Sequence, residues 1–153
     1  MIVAVVSLAV DWWRSPKQPV YDTETVWATL SGEPVYFSGL GTEHTAIVYF
    51  WGSWCGVCRY TSPVIHKLSQ AGVPVVSVAL HSGSDQEVAG YLKRQGWSFA
   101  TVNDTNGQLG GLWQIKATPT VVMVKNGQIR HSTSGISSYW GLWLRWKLVD
   151  WLY

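Results

Sequence analysis

Two strand-length runs constrain this chain more than any other feature. Thr45-Ala46-Ile47-Val48-Tyr49-Phe50-Trp51 and Val73-Pro74-Val75-Val76-Ser77-Val78-Ala79-Leu80 are nearly continuous in apolar residues rather than alternating, the pattern of strands covered on both faces. Between them Arg59 to Gln70 has helical spacing through Val64, Ile65 and Leu68, and Gly72 can stop that helix. Strand, helix and strand in this order make a βαβ unit.

The alternation continues downstream. Ser84-Asp85-Gln86-Glu87 opens a helix with acidic residues at its positive end, and Lys93-Arg94-Gln95-Gly96 closes it. A short strand is expected near Phe99 to Val102 and a short helix from Asn106 to Trp113. Thr120 to Val124 and Gln128 to Ser132 flank Lys125-Asn126-Gly127, and Asn-Gly between two such runs is a strong hairpin signal. Ser137 to Leu152 reads as a final helix with Ser137 or Ser138 as its cap. The expected class is α/β, a central mixed sheet flanked by helices. Upstream, Val26-Trp27-Ala28-Thr29-Leu30 and Pro34-Val35-Tyr36-Phe37 flank a Gly-containing turn and read as an added N-terminal hairpin.

A chain of 153 residues suits one domain that buries roughly two-thirds of its unfolded surface and needs no disulfide or metal to fold. Residues 25–153 are read as that domain, residues 15–24 as a linker stiffened by Pro16 and Pro19, and residues 1–14 as an apolar N-terminal segment. From Ile2 to Val10 only Ser7 is polar, and the run ends in Asp11-Trp12-Trp13-Arg14, like the exit end of a membrane segment. It is shorter than the ~20 residues of a spanning helix, so the expectation is the remnant of an anchor, with a cleaved signal or an interfacial segment as alternatives. The formal charge of +2 without a long charge run gives no electrostatic case for nucleic acid. Eleven tryptophans exceed what such a core needs, so some are expected to face a membrane or a partner.

Both cysteines stand at the end of the first buried run, in Trp51-Gly52-Ser53-Trp54-Cys55-Gly56-Val57-Cys58-Arg59. A structural disulfide, a metal site and electron exchange are the three uses of such a pair. A resemblance separates them. The buried strand ending in Phe50-Trp51, Trp54-Cys55-Gly56-Val57-Cys58, Pro63, Ala117-Thr118-Pro119-Thr120 and Lys125-Asn126-Gly127 occur in an order that resembles the thioredoxin-like disulfide oxidoreductases. The N-terminal hairpin, the apolar N-terminal segment and Trp51-Gly52-Ser53-Trp54 look closer to the membrane-tethered periplasmic branch, which includes the suppressor-of-copper-sensitivity and cytochrome c maturation thioredoxin-like proteins.

The resemblance implies a thioredoxin-like fold. It implies Cys55 and Cys58 as the catalytic pair, and Trp54, Gly56, Val57, Thr118 and Pro119 as the substrate-binding surface, with Pro119 cis. Cys55 placed at the first turn of a helix would gain unpaired amides and the positive dipole end, which favour the thiolate that exchange requires. Cys58, one turn on, is within disulfide reach and can resolve a mixed disulfide. Three departures stand out. Val57 replaces the proline of thioredoxins proper, Tyr49 replaces their buried aspartate, and no glutamate occurs before Glu87 in the segment after the second strand, where the cytochrome maturation proteins carry one.

A thiolate site for copper or zinc is the alternative from another class. His66 comes eight residues after Cys58, about 12 Å further along a helix, and no second C-x-x-C exists for a four-ligand site. Haem attachment fails because Arg59, not histidine, follows Cys58. His44, His66, His81 and His131 read as surface residues, and a redox-inert adaptor is the remaining class. No cofactor and no resident metal are expected.

In the last helix Trp140, Leu144, Leu148 and Trp151 form one apolar stripe, while Tyr139, Leu142, Trp146, Val149 and Tyr153 form a second. One stripe suffices to pack on a sheet; the other has the N-terminal segment, a partner, the membrane interface or added elements of the domain as possible neighbours. The reading taken together is a thiol-disulfide oxidoreductase in the periplasm, anchored to the inner membrane by its N-terminus. It exchanges disulfides with protein substrates and is recharged by a membrane or periplasmic redox partner, with reduction favoured over oxidation on the resemblance.

Overall fold

Along the first apolar run, Ile47, Tyr49 and Trp51 pack into one cluster of buried side chains and Val48 and Phe50 into another. The strand therefore lies in the middle of a two-sided core, as its unbroken apolar pattern requires. The computed structural model describes residues 2–14 and 26–153; the linker expected at 15–24 lies outside the described residues. In chain order the elements are α1 (Ile2–Arg14), β1 (Trp27–Ala28), β2 (Pro34–Val35), a 3₁₀ turn (Phe37–Gly39), β3 (Ala46–Trp51), α2 (Cys58–Gln70) and β4 (Val75–Leu80). There follow α3 (Asp85–Gln95), β5 (Ala100–Asp104), α4 (Gln108–Leu112), β6 (Thr120–Lys125), β7 (Gln128–Ser134) and α5 (Tyr139–Leu152).

The main sheet has the order β5-β4-β3-β6-β7. β3, β4 and β5 run parallel, and β6 and β7 are antiparallel to their neighbours. One face is covered by α2, α3 and α5 through Ile65, Leu68, Val88, Leu92, Leu142, Trp146 and Val149. The other is covered by α4 and the N-terminal elements through Leu109, Trp113, Phe37 and Val35. Phe37 and Phe50 both pack on the Trp113 ring, at 5.6 and 5.5 Å between centroids. The mixed α/β sheet of the sequence reading is present, and so is the small N-terminal hairpin.

Element ends depart from expectation for local reasons. β4 starts at Val75 because Pro74 has no N–H to donate, although its carbonyl still accepts from Ile47 at 2.8 Å. β5 extends to Asp104, whose buried carboxylate accepts the amides of Leu109 and Gly110 at 3.1 and 2.8 Å and so fixes the start of α4. The hairpin strands are two residues each. They lie against the sheet's edge, where Leu30 N–H donates to Thr101 at 2.9 Å, so part of the otherwise open edge of β5 is paired. The Lys125-Asn126-Gly127 turn has φ of 53° at Asn126 and 72° at Gly127, the two positive values a tight right-twisted hairpin needs.

α3 carries a capping box between Ser84 and Glu87 and ends at Gly96 in the left-handed conformation. α5 is capped by the Ser138 hydroxyl, which accepts from Gly141 N–H at 3.1 Å. Of its two stripes, the one through Leu142, Trp146 and Val149 is buried, while Trp140, Leu144, Leu148 and Trp151 face outward. α1 is a helix of 13 residues. Among the described residues no helix is long and apolar enough to cross a membrane.

Candidate redox site

The parallel register aligns Trp51 of β3 with Ala79 of β4, and the antiparallel register aligns Phe50 with Thr120 of β6. The loop leaving β3, the loop leaving β4 and the segment entering β6 therefore meet at one end of the sheet, where α/β folds place their sites. Trp51 anchors this end from below: it is fully buried, stacks on Tyr91 at 5.5 Å, and donates its indole N–H to Ser77 Oγ at 3.1 Å. Ser77 continues the buried chain to Thr101 Oγ1 at 2.7 Å.

Cys55 and Cys58 are joined by a disulfide with their Cα atoms 5.4 Å apart. Cys55 lies outside the first turn of a helix, which corrects the sequence expectation, because α2 begins at Cys58. Cys55 N–H closes a turn onto Gly52 O at 3.1 Å, and the carbonyls of Gly56 and Val57 accept from Arg59 and Tyr60 N–H at 3.3 and 3.1 Å. The positive end of α2 still acts on Cys55. Cys55 Sγ accepts the Cys58 backbone N–H at 3.3 Å, so the sulfur takes the place of a capping oxygen at the positive end of α2.

The two sulfurs are not equivalent. Cys55 is 8% exposed and Cys58 2%, and Cys55 is flanked by exposed Gly56, by Val57 at 43% exposure and by Trp54 at 60%. Beneath them Tyr49, where thioredoxins have a carboxylate, is wholly buried and its hydroxyl is 2.7 Å from Ser62 Oγ. Burial pushes the Tyr49 phenol far above its ordinary value, so it stays a neutral hydroxyl at any working pH.

The Thr118–Pro119 peptide bond is cis, and Pro119 O accepts from Gly135 N–H at 3.0 Å. Thr118 is half-buried and Pro119 buried. Thr118 and Trp54 line one groove of about 330 Å³ together with Leu80, His81, Ile115 and Lys116. His81, a lone surface histidine by sequence, belongs to this groove. It is exposed, yet its φ of 46° turns it into the groove against Gly107, where a β-carbon would overlap the imidazole. The parallel pairing of β3 and β4 was the signal that could have found it. Trp54 is held by its indole N–H to Leu80 O at 2.9 Å, and Ser53 N–H by Ser82 Oγ at 3.0 Å. Among the described residues no cluster of three or more His, Cys, Asp or Glu is spaced to hold a metal.

The thioredoxin-like family profile matches residues 43–129. The chain is similar to a "Thioredoxin-like protein" of Haemophilus influenzae, 40% identical over 92% of this chain and 84% of the relative. It is also similar to the "Thiol:disulfide interchange protein DsbE homolog" of Paracoccus denitrificans, 37% identical over 58% of this chain; the chain spans about half of that relative's length. Among solved structures, StoA from Bacillus subtilis superposes with a TM-score of 0.70 at 25% identity, covering 80% of this chain and 95% of that one.

Proposed function

The chain belongs to the thioredoxin-like family and is an enzyme of its thiol-disulfide oxidoreductase kind, and from that premise we propose that it reduces disulfides of protein substrates outside the cytoplasm. The observation that carries the proposal is the inequality of the two sulfurs at the helix start. Cys55, the more exposed and the one that accepts an α2 amide, is the nucleophile; Cys58, nearly sealed, is the resolving thiol. The Cys55 thiolate attacks one sulfur of a substrate disulfide, and the other sulfur leaves as a thiolate that takes a proton. Cys58 loses its proton and attacks Cys55 Sγ, releasing the second substrate thiolate. The chain ends with the Cys55–Cys58 bond described above, and the two electrons have passed to the substrate.

Trp54, Gly56 and Val57 form one wall of the docking surface and Thr118 and Pro119 the other. The Thr118 backbone is assigned to pair with an extended substrate segment, by the main-chain bonding of strand addition. A dithiol partner in the periplasm or its membrane must return the electrons. The apolar helix α1, with Ile2, Val3, Trp12 and Trp13 exposed, is assigned to contact with the inner membrane, and residues 25–153 to the working domain. The Paracoccus relative's name, a thiol:disulfide interchange protein, supports the class of reaction.

The deciding experiment is insulin reduction together with the potential of the cysteine pair. Turnover lost in Cys55→Ser, with a potential near about −270 mV, supports a reductase, and a potential near about −120 mV makes the chain an oxidant instead.

A further inference from the structure

α5 is apolar on both sides. Leu142, Trp146 and Val149 are buried against the sheet and α2, yet Trp140, Leu144, Leu148 and Trp151 are 71, 55, 48 and 81% exposed. They recur at helical spacing, so they form one continuous stripe. Ile136, just before the helix, adds a further exposed apolar side chain at 69%.

The charges on α5 are sorted as well. Its one acid, Asp150, is turned inward, accepting from Thr45 N–H at 2.6 Å, from Lys125 Nζ at 3.1 Å and pairing with His44 at 3.2 Å. The charges left facing outward are Arg145 and Lys147, and Lys147 Nζ lies 5.5 and 5.3 Å from the Trp143 and Trp146 ring centroids. The outer face is thus tryptophan and leucine edged only by cations.

We propose that the outward face of α5 lies flat on a membrane of anionic lipid. An interfacial helix turns tryptophan and leucine toward the lipid, with basic residues outside that stripe, and its apolar side enters the headgroup boundary by about 5–10 Å; in α5 the opposite side is covered by the domain's own core. A second copy fits poorly, since a two-fold pairing of this face would set Arg145 and Lys147 opposite their own kind. Continuity with α1 favours the membrane. α1 contacts β7, and Arg130 of β7 lies 4.5 Å from the Tyr153 ring at the end of α5, so both apolar helices flank one sheet edge.

The orientation has a consequence for the redox site. α5 begins just after Gly135, which is bonded to Pro119 O, so its N-terminal end lies at the redox end of the sheet. With α5 flat on the bilayer, the cysteine pair would sit at the edge of the footprint, where a membrane-borne partner can reach it.

The test is co-sedimentation of the full chain with vesicles of phosphatidylglycerol and phosphatidylcholine in equal parts, against pure phosphatidylcholine. The expected result is preference for the anionic vesicles, with an affinity loss of roughly thirtyfold in Arg145→Gln/Lys147→Gln, from about 1 kcal/mol per basic residue. A larger loss is expected in Trp140→Ser/Leu144→Ser/Leu148→Ser/Trp151→Ser. Insulin reduction in solution checks that each variant is folded, and reports separately on the redox reading. Unchanged binding in both variants would assign any adsorption to α1 and overturn the proposal. So would a wild-type dimer in solution that the four-residue variant abolishes.

Discussion

The Tyr49 hydroxyl lies 2.7 Å from the Ser62 hydroxyl, and both side chains are wholly buried between β3 and α2. Ser62 is four residues after Cys58 on the same helix, so the pair sits one turn beyond the resolving thiol. The two groups satisfy each other, and neither carries charge. The floor of the site is therefore neutral where a thioredoxin has a carboxylate.

Tyr49→Phe keeps the ring and deletes the hydroxyl, leaving Ser62 Oγ without this partner. A stability loss of about 1–2 kcal/mol is expected in urea denaturation. The pH dependence of insulin reduction between roughly pH 6 and 9 should keep its shape, because a phenol raised by burial does not titrate there. A limb of the wild-type profile that disappears in Tyr49→Phe would give Tyr49 a role in proton transfer.

Cys58→Ser should accumulate substrate on Cys55, since nothing remains to resolve the mixed disulfide. Gel analysis of the trapped adducts measures this, and equal trapping by Cys55→Ser would exchange the assigned roles. In the reduced protein, alkylation against pH should give a Cys55 pKa below the ~8.5 of a free thiol, because the α2 terminus stabilises the thiolate.

Gly52→Ala tests how Trp54 is held. A β-carbon at Gly52 would come within 2.5 Å of the Trp54 indole, which must swing away and give up its bond to Leu80 O. The expected outcome is a stability loss of no more than about 1–2 kcal/mol with a several-fold fall in turnover of protein substrates. A small disulfide that does not need the Trp54 wall should be reduced at nearly the wild-type rate. Equal loss for both substrates would place the defect in the cysteines instead.

Asp150 ties α5 to the start of β3. Burial by itself would raise its carboxyl, but hydrogen bonds from the Thr45 amide, Lys125 and His44 outweigh that and hold it well below the usual carboxylate range. A depressed folded-state pKa means the stabilisation is complete above the unfolded value of about 3.9 and drains away as pH falls below it. Asp150→Asn should lose about 2 kcal/mol at pH 6, and the gap from wild type should narrow in melts taken progressively below pH 4. A gap that stays constant down to pH 2 would show that the carboxylate's charge contributes nothing.

The sheet and the cysteine pair were legible in the sequence because each rests on short-range information. Thr45 to Trp51 and Val73 to Leu80 carry the unbroken apolar pattern of strands covered on both sides, and Asn126-Gly127 can turn with two positive φ values where most residues cannot. The spacing of Cys55 and Cys58 already places their sulfurs within disulfide reach. Other features depend on residues distant in sequence. His81 reaches the groove because the parallel register of β3 and β4 brings their exit loops together and because its backbone, with φ of 46°, turns the ring against Gly107; the βαβ pattern implies the first, while nothing in the residues around His81 specifies the second. Of two equally apolar stripes on α5, the one through Leu142, Trp146 and Val149 is buried because Asp150 is bound by Thr45 and Lys125 and Trp146 N–H by Thr45 O at 2.6 Å. Those partners lie 25 to 105 residues away. A periodic pattern records that a helix has apolar faces, while the rotation that chooses between them is set by contacts that exist only after the chain has folded.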